Sequence, residues 1–190
     1  MKNIFILILF FTIKSYAQEY PLGTDPSDIP ANSYIKDTNN DYNKYIGLWK
    51  GTWDGKTVFL EFKKIKHLNQ GSTNLYYKDE IFGGRKIIAP NGTVEIDRIT
   101  NFDYPNSEIW GMGIPTSLNG VNYPSFMFFP KNMCDLNARL VVTNISPTHM
   151  TLHLAALSRD TPGTCIHDSY VQQYGEYTIN FPKDITLIKQ

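Results

Sequence analysis

Cys165, His167 and Asp168 set a thiol, an imidazole and a carboxylate within four residues of one another. A cysteine nucleophile needs a base in hydrogen-bond reach and a group that orients the base. Alternate residues of an extended strand stand roughly 7 Å apart, too far for direct contact. The chain has one other cysteine, Cys134. Two thiols in an oxidising compartment pair into a disulfide, and that is the reading adopted for Cys134 and Cys165.

Carboxylates offer a second chemistry. Glu95 and Asp97 alternate on one expected strand face, with Glu61, Asp79 and Glu80 on expected neighbours. Two carboxyl groups about 6.5–9.5 Å apart can serve an inverting glycosidase. Acids alternating opposite lysines such as Lys63 are also what a solvated sheet face requires. His149 and His153 share a strand face but stand roughly 13 Å apart along it, so they cannot chelate one zinc ion. With four histidines and two cysteines in all, neither a metal nor a cofactor is expected, calcium alone being left open by the Asp- and Asn-bearing loops. No Gly-rich phosphate loop and no Gly-x-Ser-x-Gly elbow occurs.

Aromatic residues are the remaining resource. Past residue 17 the chain holds 22 Phe, Trp and Tyr. Trp53, Trp110, Tyr104 and Tyr123 fall in or near expected turns, where rings can stack on a sugar or line a barrel mouth. The structural alternative is that they cap the core.

The elements that must position these groups are short. Residues 1–17 have a charged start, an apolar run over 4–13 and a small-residue exit at Ser15-Tyr16-Ala17. The run is too short for a spanning helix, which needs about 20 residues, and fits a signal peptide cut after Ala17. Loss of Lys2 and Lys14 would leave 16 basic and 18 acidic side chains. That balance gives no handle for nucleic acid. No membrane span is expected in the mature chain, and a monomer in the periplasm or outside the cell is.

Residues 18–44, rich in Pro, Asn, Asp and Ser, read as an extended arm, and 45–190 as a single antiparallel β domain. Strands are expected over 46–53, 56–65, 74–82, 85–89, 93–99, 108–112, 125–129, 138–144, 150–157, 177–181 and 185–188, with one helical turn within 165–174. Asp54-Gly55 is a two-residue hairpin signal. Gly83-Gly84 reads as a strand end. Val58, Leu60 and Phe62 alternate with Thr57, Glu61 and Lys63, so one face is buried and one wet. Sequential hairpins favour a meander that closes to remove its edges. The fold expected is therefore an all-β, lipocalin-like or half-open barrel, with a two-sheet sandwich as the alternative. In an antiparallel pair the numbers of opposed residues have a constant sum. Asn144 opposite His149 gives 293, and Cys134 with Cys165 gives 299, which places the two cysteines together at the open end of that hairpin.

Two resemblances bear on this. The stretches 20–30, Ser33-Tyr34-Ile35-Lys36-Asp37 and Tyr45-Ile46-Gly47-Leu48-Trp49 resemble an uncharacterised family of small exported bacterial proteins with a domain of unknown function. That resemblance implies export and transfers no active site. Gly47-Leu48-Trp49 is also similar to the Gly-x-Trp signature of lipocalin-like barrels, and Phe102-Asp103-Tyr104 echoes their second signature. The likeness implies that Gly47 and Trp49 close the barrel floor, with Trp49 under a cation from the last strand. That cation is Arg in lipocalins. No Arg follows Arg159 here, so Lys183 or Lys189 would stand in.

The function expected first is a secreted binding protein that holds a small apolar or amphiphilic ligand, or a glycan, in an aromatic-lined barrel mouth. An envelope protein-interaction module comes second. A hydrolase using Glu61, Asp79, Glu95, Asp97 and His153 comes third.

Overall fold

A computed structural model describes residues 18–70, 74–100, 106–111, 115–131, 133–159, 164–174 and 179–190. The signal peptide expected at 1–17 lies outside these residues, as do Phe102, Asp103 and Tyr104.

The strands in chain order are β1 (Glu19–Pro21), β2 (Tyr34–Lys36), β3 (Gly47–Trp53), β4 (Lys56–Gln70), β5 (Leu75–Ile88), β6 (Val94–Asp97) and β7 (Ile109–Trp110). They continue as β8 (Thr116–Leu118), β9 (Val121–Tyr123), β10 (Ser125–Phe128), β11 (Leu136–Ile145), β12 (His149–Arg159) and β13 (Asp184–Lys189). A helix, α1 (Asp168–Tyr174), precedes β13.

Eight of these strands close a ring in which neighbours pair antiparallel: β3-β4-β5-β7-β10-β11-β12-β13, with β13 returning to β3. The expected meander thus closes into an antiparallel barrel. The β8–β9 hairpin stands apart, and β6 flanks the outer part of β5. The β3–β4 hairpin turns at Asp54 and Gly55, both at positive φ, as a type I′ turn demands.

Alternation sorts the faces as read from sequence. Val58, Leu60 and Phe62 of β4 are fully buried. They join Trp49, Ile81, Phe126, Phe128, Leu140 and Leu152 in one core that fills the barrel.

Four expectations need correction. Gly83-Gly84 does not end a strand, because β5 runs unbroken from Leu75 to Ile88. These glycines mark close approach instead. A Cβ on Gly83 would sit 2.9 Å from the Phe62 ring, and one on Gly84 only 2.1 Å from the Arg98 carbonyl oxygen. The connection before β10 holds the β8–β9 hairpin rather than a plain loop. Residues 179–181 lie outside any strand, since Phe181 turns inward to pack on Phe128, ring centroids 5.3 Å apart. The β11–β12 pairing runs at sums of 294 and 295 (Leu140 opposite Leu154, Asn144 opposite Thr151), with two bulges. The turn has the assumed length but is centred one residue further along, between Ile145 and Met150, yet Cys134 and Cys165 are bridged, with Cα atoms 5.8 Å apart.

The arm adds to the barrel as strands. β1 pairs with β2, and β2 with β5, both parallel. Ile29, Ile35 and Tyr76 form a small second core beneath it.

Candidate functional site

The ends of the barrel differ, and the difference locates the site. At the end holding the start of β3, Trp49 is wholly buried. Its Nε1 donates to the Tyr45 carbonyl at 2.7 Å, and Tyr45 meets Phe126 edge-on at 5.6 Å. The Lys189 ammonium lies 5.2 Å from the centre of the Trp49 ring. Gly47 has φ of 120°, and a Cβ there would come within 3.2 Å of the Lys189 side chain. Of the two lysines offered from sequence, Lys189 therefore takes the place over the tryptophan.

The same end is secured from outside by two buried carboxylates. Asp79 accepts from the Tyr34 hydroxyl at 2.5 Å and the Asp37 amide at 3.0 Å. Asp37 accepts from the Asp41 and Tyr42 amides and from Lys64 at 3.1 Å. Burial and the Asp79 contact push the Tyr34 phenol well above its usual range. Burial, followed by Glu80 and Asp37, pushes Tyr42 up to about 12.

The opposite end is built on a buried ion pair. Arg85 stands in phase with the apolar residues Ile81 and Ile87 of β5 and is 1% exposed. Its Nε donates to Glu108 Oε2 at 2.8 Å, and Glu108 is equally buried. Its Nη1 donates to the Asn180 carbonyl and to Asn180 Oδ1 at 2.6 Å. Its guanidinium stacks 5.2 Å from the Phe128 ring centre. Glu108 Oε1 accepts from the Lys131 amide at 2.8 Å. Burial of a charge is tolerated only with such pairing. Here the pair ties β5, the lead-in to β7 and the 179–181 segment together.

Beside this pair opens a cleft of about 520 Å³. Its charged wall comprises Arg85, Glu95, Asp97, Arg98, Glu108 and Lys131. Ile96, Met133 and Ile166 add apolar surface, and His167 and Asn180 complete it. The Cys134–Cys165 bridge joins two sides of this wall, since Met133 precedes one cysteine and Ile166 follows the other. Cys134 and Asp135 both have positive φ, a strained turn that persists because its surroundings hold it.

Each carboxylate on the wall has a cation of its own. Glu95 pairs with Lys56 at 2.7 Å, Asp97 with Lys86 at 2.7 Å, and Glu108 with Arg85. Burial alone would raise the Asp97 pKa. The bonds from Lys86, Thr100 and the amides of Thr100 and Ile99 outweigh it and hold that carboxyl below the usual range.

The aromatic residues selected from sequence do not gather here. Trp53 sits at this end of the barrel, under Lys56, whose ammonium is 5.4 Å from its ring and pairs with Glu95. Trp110 lies on the outer face, stacked on Phe82 and tilted against Phe129. Tyr123 belongs to the β8–β9 hairpin, and Tyr104 lies outside the described residues. The carboxylates are dispersed too. Glu61 pairs with Lys63, Asp79 holds the arm, and His153 meets Asp184 at 2.6 Å. Only Glu95 and Asp97 of that set line the cleft. His149 contacts Thr148. Among the described residues no three His, Cys, Asp or Glu side chains come together as a metal site.

Arg85 and Glu108 were missed from sequence. One signal was available for Arg85, a charge in phase with inward apolar positions, which must find a buried partner. Nothing local marks Glu108.

No helix among the described residues is long and apolar enough to cross a membrane. No curated protein and no solved structure matches the chain. The family model that matches spans residues 1–190, and the chain belongs to that family, DUF6705, a family of unknown function.

Proposed function

We propose that the chain is an exported binding protein that holds a compact amphiphilic ligand or glycan in the cleft at the Arg85–Glu108 end of the barrel. One observation carries this reading. Trp49, Tyr45 and the arm finish one end, while the other keeps a cleft of about 520 Å³. That volume falls within the roughly 300–1,000 Å³ common for small-molecule sites. The cleft mixes an apolar strip with fixed polar groups, the composition that gives such sites both grip and orientation.

Export fits the disulfide, which persists in oxidising compartments, and the leader pattern of residues 1–17 with its cut after Ala17. The mature protein then works as a monomer in the periplasm or outside the cell, without nucleic acid. Native mass spectrometry of protein purified from its own host tests the reading. A mass excess that disappears on unfolding is expected. A bare chain mass from several growth conditions would count against it.

A second reading, an envelope interaction module, draws on Trp110. This residue is 38% exposed and continues an aromatic row with Phe82 and Phe129 on the outer face.

A further inference from the structure

We infer that the ligand of the cleft carries an anionic head group, a carboxylate or phosphate, recognised by Arg98 and Lys131; the inference rests on the binding reading above. The six charges that line the cleft balance, three of each sign, but Lys56 and Lys86, from outside the lining, already neutralise Glu95 and Asp97. The three carboxylates are each matched by Lys56, Lys86 or Arg85. Arg98 and Lys131 line the same space and, among the described residues, have no carboxylate within ion-pair distance. Three closed pairs plus two further cations leave this corner positive, in a chain with equal numbers of basic and acidic side chains.

Arg98 also borders an adjoining hollow of about 480 Å³ with Asp97, Thr100 and Asn106, so the residue stands between two open spaces. Its backbone is fixed by the hydrogen bond that the Arg98 amide donates to the Arg85 carbonyl at 2.8 Å. The Lys131 backbone is fixed by the hydrogen bond its amide donates to Glu108 Oε1. Both backbones are therefore anchored at residues of the buried ion pair, Arg98 to the Arg85 main chain and Lys131 to the Glu108 side chain. A planar guanidinium suits bidentate capture of carboxylate or phosphate, and an ammonium supplies a point charge beside it. Ile96, Met133 and Ile166 would receive a short apolar body.

Calorimetric titration of the intact mature protein with octanoate, octyl phosphate, octanol and octyl glucoside separates this inference from the reading beneath it. Binding of at least one anionic probe is expected, tighter than both neutral ones. Arg98→Gln and Lys131→Gln should each weaken that binding by about tenfold, the effect of losing one charge-assisted bond. Lys50→Gln, a cation on the outer face of β3, should leave it unchanged. Equal binding of neutral and anionic probes, indifferent to R98Q and K131Q, would overturn the anionic head group and leave a binding cleft standing. No binding by any probe would overturn the inference, while a co-purified neutral ligand would keep the broader reading alive. Far-ultraviolet circular dichroism of each variant confirms that loss of binding is not loss of fold.

Discussion

The two ends of this barrel solve one problem in different ways. Each must stop water entering an aromatic core. At the Trp49 end, the arm supplies the plug. Tyr42 and Tyr45 enter the core, and the carboxylates Asp37 and Asp79 clamp the arm from buried positions. The carboxylates of Asp37 and Asp79 accept from the arm and from Lys64. At the Arg85 end the plug is thin, consisting of Phe181 on Phe128 and Asn180 on Arg85. A buried ion pair substitutes for the missing apolar cover, and cations remain over. A finished end stabilises; an end with unmatched charge facing a cleft is equipped to meet something else.

Glu108→Ala should break the comparison most severely. It leaves Arg85 as an uncompensated buried charge, which costs about 3–5 kcal/mol, read as a lower urea midpoint. Replacement of both partners together, Arg85→Met with Glu108→Leu, should restore most of the loss, because apolar substitutes for a buried pair are often neutral. A single variant as stable as wild type would show that the pair does not hold this end.

Next in size is the disulfide. Cys134→Ser with Cys165→Ser opens a loop of sequence separation 31, worth about 3–4 kcal/mol in the chain-entropy model. The change should also speed amide exchange at 164–168 while leaving β2 protected. Uniform loss of protection at both ends would contradict a local role in the cleft wall.

Asp79→Ala should release the arm for about 1–3 kcal/mol, since the Tyr34 hydroxyl and the Asp37 amide lose their acceptor. Limited proteolysis should then cut within 18–44. Ligand binding at the far end should persist.

The smallest effect is seen only in alkali. The Tyr42 phenol is raised from 10.0 to about 12 by burial and nearby carboxylates. The folded state therefore binds the proton more tightly than the unfolded chain. That contribution is whole below pH 10 and is lost as pH rises towards 12. The stability difference between Tyr42→Phe and wild type should thus be flat below pH 10 and shift in favour of the phenylalanine above it. A difference independent of pH would remove Tyr42 from the clamp.

Much of the barrel was legible because its signals are local. Asp54-Gly55 names its turn, alternation in 57–63 names its faces, and constant sums across a hairpin bring two cysteines together although the turn is centred one residue later than expected. In the Gly47-Leu48-Trp49 run, Trp49 is wholly buried and lies beneath Lys189. What escaped depends on distance along the chain. Arg85 and Glu108 meet across 23 residues and Arg85 meets Asn180 across 95, spans no periodicity can see. Gly83-Gly84 was misread because glycine marks close approach as well as turns, and only the Phe62 ring and the Arg98 carbonyl reveal which. Trp53 and Trp110, near turns, drew attention to a mouth, whereas the cleft is walled by charged residues that a local reading assigns to ordinary wet strands.

The most direct test is hydrogen exchange on the protein purified with its native ligand, compared with the same protein stripped by unfolding and refolding. The account predicts that the ligand slows exchange in Val94–Asp97, at 131–133 and at 164–168, with no change in Tyr34–Lys36 or at 42–45. Protection confined to the arm, or spread over the outer face around Trp110, would contradict a ligand site at the Arg85–Glu108 end.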